Sequence, residues 1–114
     1  MQQVHAHIDT VEAGYEFLLA YAAQGREDDD GSTGSARETL SAMDSALASL
    51  REILHESAAA FHQVTANDIG AARAAIELVL AAPRLSSELV DNLNASIHLR
   101  TVLTDLFIVG EADG

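Results

Sequence analysis

The sequence predicts an all-α fold, a single-domain antiparallel four-helix bundle. Three observations lead there. Apolar residues recur three and four apart through most of the chain, the spacing that gives a helix one buried face. Residues with strand preference never gather into alternating runs. The one proline and most of the seven glycines fall outside the periodic segments. At 114 residues and 48% apolar composition, one core can bury roughly two-thirds of the unfolded surface. Aromatics make up only 4% and Trp is absent, so Leu, Ile, Val and Ala must fill it.

The first helix is expected from Val4 or Asp9 to Gln24, with Val4, Ile8, Val11, Tyr15, Leu18, Leu19 and Ala22 on one face. Phe17 and Tyr21 fall on the opposite side beside Gly14, and a second stripe predicts a second contact. Residues 25–34, rich in Gly, Ser and acids, predict a flexible acidic loop. The spine of the bundle is expected over residues 35–62. There Leu40, Met43, Leu47, Leu50, Leu54 and Phe61 form a seam that only Ser57 interrupts, and Ser35 to Glu38 reads as a capping box. After a turn at residues 63–67, the third helix covers residues 68–82. Ile69, Ala72, Ile76, Val79 and Leu80 point inward, and Ala71, Ala75, Leu78 and Ala82 make a second, small-residue face. Pro83 ends it. Ser86 caps a fourth helix running to Phe107, with Leu85 and Val90 placed as a staple. Leu89, Val90, Leu93, Ile97, Leu103 and Phe107 are expected inward, and residues 110–114 form a frayed acidic tail.

Charge narrows the partners. Eighteen acids face six Arg and no Lys, a net charge of −12. Phosphate contacts need a basic face, so nucleic acid is not an expected partner, nor is an anionic membrane. A basic protein or a cation is electrostatically allowed. With no Cys, disulfides, thiolate metal sites and Cys nucleophiles are excluded. No apolar run reaches the roughly 18 residues of a membrane span, and the start lacks a signal-peptide pattern, so a cytoplasmic protein is expected.

Few motifs carry chemistry. Asp28, Asp30 and Gly31 stand like the middle of an EF-hand loop, but Arg26 and Arg37 occupy the end positions where carboxylates belong. His5 and His7 lie near Asp9 at the start of the chain. The Gly31 to Gly34 stretch lacks the Lys of a phosphate cradle. Glu52 and His55, three apart, resemble half the carboxylate site of ferritin-like di-iron proteins, with Glu16 and Glu77 standing for the single carboxylates. Ala95, not Glu, precedes His98 by three, and the seam that buries Leu47, Leu50 and Leu54 turns Glu52 and His55 outward. The hemerythrin-like spacing fails, since Ala59 and Leu103 stand where Glu and Asp would follow His55 and His98. His55-Glu56-Ser57-Ala58-Ala59 resembles the exposed reactive turn of histidine-phosphotransfer domains, with Ala58 and Ala59 in place of that family's Lys and Gly.

Arg100 falls on the apolar face of the expected fourth helix, so it should meet a carboxylate or a second chain, unless the helix bends there and lets it reach water. The sequence therefore predicts no cofactor, no metal and no catalysis. It predicts a non-enzymatic bundle acting through protein contacts in an accessory or regulatory role, most simply as a homodimer. The expected interface residues are Phe17, Tyr21, Ala71, Ala75, Leu78 and Arg100. The alternatives are a ferritin-like metal-binding bundle and a histidine-phosphotransfer bundle.

Overall fold

The computed structural model of the chain describes residues 2–30 and 35–113. Among them it is all-helical, with five helices rather than four: α1 (Gln2–Ala22), α2 (Ala36–His55), α3 (Ala60–Leu80), α4 (Ser87–Ala95) and α5 (Ile97–Asp113). The body measures 44 × 22 × 18 Å. Among the described residues no helix is long and apolar enough to cross a membrane.

The α2 seam forms the centre. Leu40, Met43, Leu47, Leu50 and Leu54 are all buried, and Ser35 caps the helix by accepting the Glu38 N–H. The predicted 28-residue spine nevertheless stops at His55, and Phe61 belongs to α3, where it is exposed. Ser57 turns the chain. Its hydroxyl accepts the Ala59 N–H at 3.1 Å, competing with the helical pattern as Ser side chains do. The Gln63 amide then donates to the carbonyls of Leu54, His55 and Ser57, covering acceptors the helix end leaves open. The residues expected to form a turn at 63–67 lie inside α3.

Ser96 divides the predicted fourth helix. Its backbone leaves the helical region at φ −59° and ψ 133°, its N–H closes α4 on Leu93, and its hydroxyl accepts the His98 N–H to start α5. The new helix starts with a different phase. Leu99, Val102, Leu103, Leu106 and Val109 turn inward, whereas Ile97 and Phe107, expected in the core, are 71% and 55% exposed. Arg100 is exposed for the same reason, away from the apolar face where the unbroken helix would have put it.

In α1, Val4, Ile8, Val11 and Leu18 are buried as the stripe predicts, and Leu19 is exposed. Gly14 faces α2 closely: a Cβ there would lie within 3 Å of the Met43 side chain. The seam between α1 and α4 is fastened by polar bonds from side chain to backbone. Tyr21 Oη donates to the Leu85 carbonyl at 2.5 Å, Ser87 Oγ donates to the Tyr21 carbonyl, and Asn94 Nδ2 donates to the Leu18 carbonyl. After α1, the described part of the acidic stretch is bonded to the body. Asp28 accepts the Leu85 N–H, and Asp29 accepts the Ser35 hydroxyl and the Arg37 N–H. The Leu85 and Asp29 N–H donors hold the Asp28 carboxyl below its usual range. The rest of the predicted flexible loop, residues 31–34, lies outside the described residues. At the other end α5 stays helical through Asp113, where a frayed tail was expected.

Candidate functional site

The large apolar side chains left exposed are unevenly placed. Among the described residues, all but Leu19 lie on α3 or α5: Phe61, Val64, Leu78, Ile97, Phe107 and Ile108. Along α3, residues 61, 64, 68, 71, 75 and 78 follow a three-four spacing, so they share one stripe beside the core face. Of the exposed α3 positions only Glu77 is charged, on a chain of net charge −12. Along α5, Ile97, Thr101, Thr104 and Ile108 follow the same kind of spacing. The two stripes meet at a cavity of about 160 Å³ lined by Asp68, Ala71, Ile97, His98 and Thr101. A larger open cavity of about 490 Å³ lies on the α5 side, with Ile97, Arg100, Thr101, Thr104 and Asp105 in its wall.

Asp105 is the unusual residue here. It is 7% exposed, and its Oδ2 atom is buried without a hydrogen-bond partner. Burial pushes its carboxyl up to about 7, with the neighbouring Asp68 carboxyl adding hydrogen bonding and like charge. Arg100 is exposed, and its guanidinium has no polar partner among the described residues. The site thus holds a carboxyl pair that shares a proton, an exposed guanidinium without a side-chain partner, and apolar residues on both sides.

The sequence-predicted interface residues separate into two groups. Ala71 and Arg100 line these cavities, Ala75 is half-buried on the same α3 stripe, and Leu78 at its end is 76% exposed. Phe17 and Tyr21 lie elsewhere, stacked on each other with ring centroids 6.4 Å apart. Tyr21 is 1% exposed, Phe17 packs partly buried on the core, and the Arg26 guanidinium sits 5.3 Å from the Tyr21 ring centre. Burial and the nearby Asp29 raise the Tyr21 pKa, so it stays a neutral donor to Leu85. Its second stripe is satisfied inside the chain by α4, which withdraws Tyr21 from any outer surface.

The sequence also gave no warning of a hydroxyl–imidazole–carboxylate row at the end of α5. His62 Nδ1 lies 2.7 Å from Ser57 Oγ, and Nε2 lies 3.0 Å from Asp113 Oδ2. With the Ser57 oxygen already accepting from Ala59, the row straps the α2–α3 turn to the last turn of α5. Glu16, Glu52, His55 and Glu77 are all exposed, and no group of three or more His, Asp or Glu among the described residues could hold a metal ion. Asp105 could have been suspected from sequence: it sits among Val102, Leu103, Leu106 and Val109, an acid embedded in apolar spacing. No protein-family model matches the chain, and no curated protein or solved structure matches it.

Proposed function

We propose that this protein is a non-enzymatic interaction module that pairs with a second copy of itself through the α3–α5 face. The observation that carries the reading is the concentration of exposed apolar side chains on these two helices, with a nearly charge-free outer stripe on α3. Contiguous exposed apolar surface of this kind is uncommon on single chains and marks contact sites. Two-fold pairing is the commonest assembly, and a face carrying both a guanidinium without a side-chain partner and a carboxyl pair suits a self-complementary contact. The accessory or regulatory role and the cytoplasmic setting rest on the sequence reading alone, as does the up-down, antiparallel course of the helices.

Sedimentation velocity tests the reading. The expected mass is about twice the 12.1 kDa of one chain. Val64→Glu and Ile97→Glu should each shift the protein toward single chains by placing a charge in the contact. A wild-type protein that stays a single chain at the highest soluble concentration refutes it.

The histidine-phosphotransfer alternative has one observation in its favour: exposed His55 shares an open cavity with Arg51, a cation one turn away. Incubation with phosphoramidate and mass mapping would favour it if His55 were labelled well ahead of exposed His98.

A further inference from the structure

Arg100 and Asp105 line one cavity, yet they cannot satisfy each other within a chain. Five residues along an α-helix place two side chains about 140° apart, on the two flanks of the cavity, and no hydrogen bond or ion pair joins them. No other described cation pairs with Asp105, and its flank from α3 brings Asp68, a second acid. From α4 the cavity receives only Ala95, and the α1 groups His5, Asp9 and Glu12 line a different cavity with Leu106 and Phe107. A guanidinium from outside the chain is the missing partner, since it supplies several fixed donors and a permanent charge.

We propose that Arg100 of one copy reaches Asp105 of a second copy, so that each chain completes the other's carboxylate site. The proposal rests on the pairing through the α3–α5 face argued above, and it names that contact's residues and orientation. With Ile97, Thr101, Thr104 and Ile108 as the seam, Arg100 and Asp105 take the two flanking positions. A residue on one flank meeting the residue five further on in the partner's opposite flank is how parallel paired helices exchange ion pairs. The two α5 helices therefore run parallel about the two-fold axis. Each contact occurs twice, and each chain's guanidinium meets the other's Asp68–Asp105 carboxyl pair. The arrangement also gives the like-charged chains a local attraction at the contact, where the Asp68–Asp105 pair would otherwise repel its mirror image.

Mixing two full-length variants tests this. An Arg100→Gln homodimer and an Asp105→Asn homodimer each lose both ion pairs. A heterodimer of the two regains one, because the Asn variant brings Arg100 and the Gln variant brings Asp105. Sedimentation of a mixture with one chain fluorescently labelled should give a heterodimer at least about tenfold tighter than the mean of the two variant homodimers. Arg100→Lys should weaken the wild-type dimer less than Arg100→Gln, which needs no substitution of a buried residue. If wild-type dimers form but the mixed pair shows no gain, the ion pair is wrong and the interface stands. If wild-type never dimerises, both fall.

Discussion

Asp105→Asn should make the single chain more stable at neutral pH and by a smaller margin in mild acid. In the folded chain the Asp105 carboxyl is pushed from 3.8 to about 7, so the native state holds its proton after the unfolded state has released it. Between these values the native state binds more protons, and the stability of the folded chain falls as pH rises. The loss begins above the unfolded pKa and is complete once pH passes the folded one. A shift of this size corresponds to a ceiling on the order of 4 kcal/mol, and sharing of the proton with Asp68 brings the expected value nearer 2–4 kcal/mol. Asn removes the titration, keeps the volume and offers an N–H toward Asp68. Urea melts at about pH 5 and about pH 8, at concentrations low enough for single chains, read the effect. The wild type should lose about 1–3 kcal/mol over that span relative to the variant, and the variant should be the more stable at the higher pH. The lowered Asp28 carboxyl has finished titrating below this window. Parallel pH profiles for the two proteins would refute the reasoning.

Four further outcomes follow from packing and exposure. Leu50 is fully buried on the α2 seam, and Leu50→Ala should cost about 2–5 kcal/mol in chemical denaturation. Tyr21→Phe keeps the ring but strands the buried Leu85 carbonyl, with an expected loss of about 1–3 kcal/mol. Gly14→Ala, normally favourable within a helix, should instead destabilise by about 1–3 kcal/mol because Met43 must move. Glu52→Ala and His55→Ala, both exposed, should each change stability by less than about 0.5 kcal/mol, and a larger change would mean that they hold a contact unseen at the surface.

The α2 seam and its Ser35 cap were legible because the period of Leu40 to Leu54 is unbroken and the capping residues are adjacent. The stop at His55 was not. Ala58, Ala59 and Ala60 are good helix formers, and the turn depends on Ser57 bonding locally while Gln63 reaches back across it. Such a stop is written in side chains that meet only after the turn exists. The division at Ser96 was hidden in the same way, and its consequence was larger. One non-helical residue changed the phase of everything after it, taking Arg100 and Phe107 out of the core and putting Asp105 in. On α1, two stripes were visible, but which neighbour covered the second was a tertiary matter. The answer was α4, which buries Tyr21, while the outer stripes of α3 and α5 stay exposed.

The fastening of α4 to α1 bears on how the chain is made. Leu18 and Tyr21 are closed over by groups 64 to 76 residues further along, at Leu85, Ser87 and Asn94. A polypeptide emerging from its N-terminus therefore displays the apolar side of α1 long before its cover exists. α2 and α3, joined by a short turn, can associate while synthesis continues, because closing a small loop costs little entropy. α1 can meet α2 early, but its α4-facing side must wait for the last third of the molecule. Chains cut short before α4 would leave that side open to chaperones or to one another, and the slow step in refolding the full chain should be the docking of α4 on α1.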